Sequence, residues 1–242
     1  MIISSLNRVA SQLVELVFPS SCVSCGREGA LLCHICVAES TLVSDSACRI
    51  CAEPMAASGT CSKCRVERKS IDRLYGMYLY DSPVGEAIRS FKFDDIRALG
   101  PVLSELLEIE RLKRAKPDLV VPVPLSRQRV KERGFNQSEI FSRHIAGQLD
   151  VEHKPNSLSR TEQKIPQSQQ QSARARVESV SGSFSVNERY ICEIENRRIL
   201  LVDDVHTTGS TINECARVLK SAGASWVGAM TLAVQPIGVM SE

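Results

Sequence analysis

The chain has 242 residues and a mass of 26.6 kDa, a length that fits one or two domains. With 43% hydrophobic and 24% charged residues it excludes a chain disordered throughout, and its net charge of +2 points to no polyanionic partner by itself. No stretch reaches the about 18 consecutive apolar residues of a membrane span.

Ile2, Leu6, Val9, Leu13 and Leu16 recur at three- and four-residue steps, widened by Val17 and Phe18 and stopped by Pro19. The spacing predicts an amphipathic helix within residues 1–19. Such a helix packs on its own protein or touches a membrane face or a partner. Its polar face lacks the Lys/Arg richness of an interfacial helix, which favours the first. Residues 20–70 are Cys-rich and poor in apolar runs, so this segment is expected to need metal to fold. From residue 71 to residue 242 the character changes, and a separate core is expected. Residues 74–80 read as a strand, and a helix starts at 81–83 with Pro83 in its first turn. A second helix is expected over 99–112. A short buried strand at 119–124 runs into a Pro-containing turn, and 138–149 is helical. Residues 199–202 form an apolar strand of the kind buried on both faces. A helix over 211–221, closed by Gly223, and a strand over 226–234 end the pattern. Strands alternating with helices imply a parallel sheet in an α/β domain. Residues 157–185, rich in Ser, Gln and Arg, break the alternation and read as a lid or a mobile loop.

Eight of the ten cysteines fall in the first 64 residues as four C-x-x-C pairs. No secretory signal precedes them, and Pro19-Ser20-Ser21 before Cys22 is a poor lipoprotein site. The expected compartment is therefore the reducing cytoplasm, where paired thiols bind metal. Cys22, Cys25, Cys33 and Cys36 supply one tetrad, and Cys48, Cys51, Cys61 and Cys64 a second. Two facing C-x-x-C turns close a tetrahedron around Zn²⁺, and an all-Cys site is closed and structural. The expectation is two zinc ribbons paired in sequence order, with interleaved pairing left open. His34 is not expected to be a ligand, because the thiolates complete the count.

At residues 199–211 an apolar strand ends in Asp203 and Asp204. A loop carrying Thr207, Thr208, Gly209, Ser210 and Thr211 follows and opens a helix. Ligands of open α/β sheets bind at the carboxyl ends of strands, and the N–H groups of such a loop cradle an anion. Two carboxylates beside that cradle suit a vicinal diol. A sugar phosphate with free ribose hydroxyls satisfies both halves.

The segment resembles the phosphoribosyl pyrophosphate (PRPP) motif of the type I phosphoribosyltransferases. The resemblance implies an α/β fold of that type over residues 71–242, with the zinc-ribbon module before it. It implies that Asp203 and Asp204 bind the ribose hydroxyls and that Thr207 to Thr211 hold the 5′-phosphate, with Mg²⁺ accompanying PRPP. Val121 to Leu125, then Arg133-Gly134-Phe135-Asn136-Gln137, then Gln167, are similar to the ComF family, which is associated with natural competence and the use of external DNA. That resemblance places Val123, Pro124, Leu125 and Arg127 at the pyrophosphate loop. His206 departs from the small or aliphatic residue common at its position; a solvent-facing side chain is expected there and its role is left open.

Residues 111–133 hold eight Lys/Arg against two acids, and residues 154–176 five against one. Arg129, Lys131 and Arg133, with Asn136 and Gln137, are candidate contacts to DNA or phosphate, against the plainer reading of a solvated basic face. The first functional expectation is a PRPP-binding protein handling incoming single-stranded DNA in the cytoplasm, with competence or DNA-processing partners and contact with the inner membrane from the cytoplasmic side. The alternatives are an active phosphoribosyltransferase of nucleotide metabolism and a PRPP-sensing adaptor that docks through its zinc ribbons.

Overall fold

The computed structural model describes residues 20–161 and 182–235. The helix expected within residues 1–19 and the motif residue Gln167 lie outside them. In chain order the elements are α1 His34–Glu39, α2 Ser62–Glu67, β1 Arg73–Leu79, α3 Pro83–Phe93, α4 Leu99–Ser104, α5 Ile109–Lys113, β2 Leu119–Pro122, α6 Arg127–Arg133, α7 Gln137–Leu149, β3 Glu152–His153, β4 Leu158–Arg160, β5 Phe184–Val186, α8 Ile191–Ile194, β6 Arg198–His206, α9 Ser210–Ser221 and β7 Trp226–Val234.

Five strands form one parallel sheet in the order β1-β7-β6-β2-β3. The three interior strands, β7, β6 and β2, are apolar enough to be covered on both faces, with Val120 of β2 in one layer and Leu119 and Val121 in the other. On one face α3, α4 and α7 pack Ile88, Phe91, Leu103, Phe141 and Ile145 against Leu200, Val202 and Met230. On the other, α9 lays Ile212, Cys215, Ala216 and Leu219 against Ile199, Leu201 and Ala229. Residue alternation along β6 sends Leu200 to one layer and Leu201 to the other.

Several expectations change. The helix over 99–112 is two short helices, α4 and α5. Ser104 Oγ donates to the Gly100 carbonyl at 2.8 Å, and the chain bends after it so that Leu103, Leu107 and Leu112 are all buried. The strand expected over 199–202 continues to His206 through its two carboxylates. The helix α6 was not foreseen, since none of its residues is buried and it has no apolar period to read. The two described ends of the polar stretch 157–185 are paired antiparallel strands, β4 and β5, anchored by buried Leu158 and Phe184.

The N-terminal ribbons share a core with the sheet domain. Cys22, Leu32, Cys33 and Cys36 belong to the same apolar cluster as Tyr75, Met77, Val84 and Phe91. The link between the ribbons runs along the outer edge of β1, with Val43 N–H donating to the Met77 carbonyl at 2.8 Å and Leu79 N–H to Thr41 at 2.7 Å. This covers an edge that would otherwise present unpaired backbone groups. The expectation of a wholly separate sheet-domain core is corrected accordingly.

Candidate functional site

The eight N-terminal thiols gather as two tetrads in sequence order, each with its sulfurs within 4.8 Å of one another. A tetrahedron with Zn–S bonds of about 2.3 Å has edges of about 3.8 Å. The Sγ–Sγ distances are 3.8 Å for Cys22–Cys36, 3.7 Å for Cys25–Cys33 and 3.8 Å for Cys51–Cys61, so the residues fit the ion. Backbone N–H groups bond the sulfurs: Cys33 N–H to Cys22 at 3.4 Å, and Cys61 N–H to Cys48 at 3.3 Å. Burial pushes the Cys22 thiol up, but the N–H groups of Cys25, Cys33 and Ser24 outweigh it and bring the pKa to about 6. Burial pushes Cys36 up to about 12. The turns thus favour the thiolate at Cys22, and a dication would favour it at Cys36. His34 is exposed and outside the tetrad.

At the carboxyl end of β6 the two acids face different partners. Asp203 Oδ1 accepts from Ser138 Oγ and from the Asp204 backbone N–H, both at 2.9 Å. Asp204 is paired with the Lys92 ammonium at 2.7 Å, both side chains nearly buried. Burial, then the neighbouring Asp204 charge, raises Asp203 to about 7, against the opposing pull of Lys92 and Ser138. Between the unfolded carboxylate value and about 7 the folded chain holds a proton that the unfolded chain has released, so stability falls as pH rises through that window. Asp203→Asn keeps an acceptor for both bonds and removes the buried charge. It is expected to melt higher than the unmodified chain near pH ~8, with the difference shrinking towards pH ~5, as read by thermal denaturation.

The loop after β6 turns into the first turn of α9. Thr208 Oγ1 and Ser210 Oγ are 2.9 Å apart, and Ser210 N–H faces Thr208 Oγ1 at 3.4 Å. Gly209 holds φ +72° as the residue before α9. The open N–H groups of this helix end, with the hydroxyls of Thr207, Thr208, Ser210 and Thr211 on the same segment, form an anion cradle beside the acid pair. His206 is not solvent-facing. It is 4% exposed, its ring nitrogens have no hydrogen-bond partner among the described residues, and burial, then the Lys69 charge, lowers it to about 4. The neutral ring lies against Gly209, where an added Cβ would come within 2.5 Å of His206 Cε1. Gly209→Ala therefore meets both a left-handed backbone and an occupied space. A loss of about 1–3 kcal/mol of stability is expected in chemical denaturation, with a displaced cradle.

The 123–125 loop lies alongside. Val123 N–H donates to the Val202 carbonyl at 2.9 Å, and Asn136 Nδ2 donates to the Val123 carbonyl at 3.1 Å. Asn136 also caps α7 by accepting from Ser138 N–H, so one side chain ties the loop to the helix that carries Ser138. Arg127, Arg129 and Lys131 are exposed on α6, which ends at Gly134 with φ +74°. Arg133 alone turns inward: it stacks over Phe93 at 5.0 Å, bonds Gln137 Oε1 at 3.2 Å and feels the Asp204 charge. Gln137 is fully buried behind it rather than on the surface. Sequence reasoning missed Lys92, Ser138 and Arg160, whose charge Asp203 feels from β4. Ser138 directly follows the motif at 133–137, a usable signal; a lone lysine in an amphipathic helix offers none.

Residues 13–65 match the double zinc ribbon domain, and residues 130–241 the phosphoribosyl transferase domain. Ribbon and parallel sheet together define a phosphoribosyltransferase-type fold carrying an N-terminal double zinc ribbon. The chain is 31% identical over 179 residues to Competence protein F of Haemophilus influenzae, covering 72% of this chain and 77% of that one. It is 30% identical over 223 residues to DNA utilization protein YhgH of Escherichia coli, covering 88% and 96%, and 29% identical over 213 residues to Competence protein ComFC of Bacillus subtilis, covering 83% of each. The chain belongs to the ComF family. Among solved structures, adenine phosphoribosyltransferase of Thermoanaerobacter pseudethanolicus aligns over 63% of this chain and 84% of that one, at 18% identity and a TM-score of 0.36. No helix among the described residues is long and apolar enough to cross a membrane.

Proposed function

We propose that this protein binds PRPP at the carboxyl end of β6 and handles incoming single-stranded DNA on the cytoplasmic side of the membrane. The observation that carries the reading is the juxtaposition of Asp203 and Asp204 with the Gly209 cradle, an acceptor pair for a diol beside a donor nest for a phosphate. In this reading the acids accept from the ribose 2′- and 3′-hydroxyls, and residues 207–211 bind the 5′-phosphate. The loop at Val123, Pro124 and Leu125, with Arg127 and Arg133 near it, takes the pyrophosphate. The acid pair is also where Mg²⁺ carried by the pyrophosphate would be held; it would neutralise phosphate charge there. Lys92, 2.7 Å from Asp204, holds that side chain in place until the ligand arrives. Residues 20–70 act as the zinc module and residues 71–242 as the PRPP domain.

The DNA half of the reading is supported by the competence and DNA-utilization names of the relatives and by the exposed cations Arg127, Arg129 and Lys131. The test is calorimetry of the zinc-loaded protein with PRPP and with ribose 5-phosphate, alongside single-stranded DNA binding at low salt. PRPP is expected to bind more tightly than ribose 5-phosphate, because only PRPP fills the pyrophosphate loop. Equal affinities would overturn the site assignment, and absence of DNA binding would overturn the DNA half. A pyrophosphate-release assay on the same samples separates binding from transferase chemistry.

A further inference from the structure

Beyond its pairing at Thr41, the link between the ribbons is tied to β1 by Val43 N–H to the Met77 carbonyl at 2.8 Å and by Leu74 N–H to the Arg49 carbonyl at 2.7 Å. Between these points residues 44–48 bow away from the strand. The gap is a cleft of about 290 Å³ lined by Ser44, Ser58 and Gly59 and by Arg49, Arg73 and Arg111. The three arginines come from three separate parts of the chain, the second zinc knuckle, the start of β1 and α5. Two carboxylates oppose them. Asp45 holds Arg111 at 3.0 Å from a side chain that is 97% exposed, and Glu108 lies 3.6 Å from the same guanidinium. Neither touches Arg49, which bonds Thr60, or Arg73, which lies over the Tyr75 ring at 5.1 Å. Next to the cleft, Arg198 stacks on Trp226 at 4.5 Å, and the Tyr75 phenol feels Arg73, Arg198 and Arg111 together.

The position matters as much as the charge. Arg73, Arg198 and Trp226 each open a strand of the parallel sheet, so the patch lies at the amino ends. The acid pair lies toward the carboxyl ends, about 17–20 Å from Arg198 along β6 at ~3.3 Å per residue, and the phosphate cradle lies beyond the strand's end. Cys48 is both a cleft wall and a member of the second tetrad, so metal holds that wall in place. The cleft is polar, cationic and prebuilt, with guanidinium planes stacked on aromatic rings beside it. Those features suit the phosphodiester backbone of a flexible, unpaired strand.

We propose that this cleft between the second ribbon and β1, through Arg49, Arg73 and Arg111, binds the backbone of single-stranded DNA at a site separate from the PRPP pocket. The proposal rests on the DNA-handling reading above. The contacts of the strand in this cleft then lie at the opposite end of the sheet from PRPP.

The test is fluorescence anisotropy of a labelled oligothymidylate across a salt series, with the zinc-loaded full chain. Arg49→Gln, Arg73→Gln and Arg111→Gln together are expected to reduce the log–log salt slope by up to about 2, at about 0.7 per phosphate contact. Zinc content and PRPP affinity stay unchanged. Lysine at the same three positions restores the slope. If the triple variant loses zinc, the Arg73→Gln, Arg111→Gln pair, remote from the thiols, is read instead, with an expected loss of about 1.4. Inorganic phosphate and thymidine monophosphate are titrated in parallel. If either binds the unmodified chain but not the triple variant while the strand's slope is unaltered, the cleft takes a free phosphate and the proposal is overturned. An unaltered slope without such binding overturns it too. If the unmodified chain binds no strand at all, the DNA-handling reading itself fails; if it binds and only the cleft variants are silent, that reading stands and the cleft assignment alone falls.

Discussion

Cys22→Ser is expected to cost the chain one zinc and to destabilise the sheet domain as well as the ribbon. Structural zinc contributes about 10–16 kcal/mol in small zinc-binding peptides, as much as the whole stability of an ordinary domain, about 5–15 kcal/mol. The first ribbon cannot replace that, since its apolar support among the described residues is the cluster it shares with Tyr75, Met77 and Phe91. When its tetrad opens, Leu32 and Cys36 leave that cluster and the pairing of residues 41–43 with β1 loses its anchor. The second tetrad is less embedded: Cys48, Cys51 and Cys64 form a small cluster with Ile50, Met55 and Cys61, and the ribbon reaches the sheet core through the small side chains of Ala47 and Ala52. Cys64→Ser is therefore expected to release zinc with a more local loss. The comparison is made by metal analysis, thermal melting, and hydrogen exchange at β1 and α3. Cys22→Ser should raise exchange at β1 and α3, and Cys64→Ser should raise it less. Retention of two zincs in Cys22→Ser, or equal exchange at β1 in both variants, would refute the argument.

Asp203→Asn with Asp204→Asn is expected to weaken PRPP binding on the order of a hundredfold or more. Hydrogen bonds to charged groups contribute ~1.5–3 kcal/mol each, and the two acids are proposed to accept from two ribose hydroxyls. The two positions differ in their structural risk. Asp203 is replaceable, since an amide oxygen still accepts from Ser138 and from the Asp204 N–H. Asp204→Asn leaves the nearly buried Lys92 ammonium without its counter-charge. A companion Lys92→Met removes that penalty, so a folded triple variant with intact zinc isolates the loss of the diol acceptors. Unchanged PRPP affinity in the folded variant by calorimetry would falsify the ribose assignment.

The parts of the fold legible in the sequence are those written in local periodicity. The strand 226–234 and the helix from Pro83 are found where the pattern places them, because continuous apolar runs and an N-terminal proline act through the backbone alone. The tetrads were legible for a similar reason. C-x-x-C spacing constrains a turn whatever surrounds it, although only the folded chain shows that the pairs close in sequence order. The β6 loop announced an anion cradle because two acids, hydroxyls and a glycine follow one apolar strand.

Tertiary structure alone decided the rest. The helix α6 has no buried face and so no period, and the bend between α4 and α5 follows from where Leu107 finds a core. Lys92 and Ser138 reach the acid pair from α3 and α7, and Arg160 feels the Asp203 charge from β4; no local pattern encodes a meeting of residues 43 to 112 positions apart in the chain. His206 was read as solvent-facing because its neighbours are polar; it is buried because β6 runs on to it and the loop folds Gly209 over its ring. The sequence separated ribbon from sheet by composition. Packing joined them, because neither the outer edge of β1 nor the small apolar face of the first ribbon can be left in water.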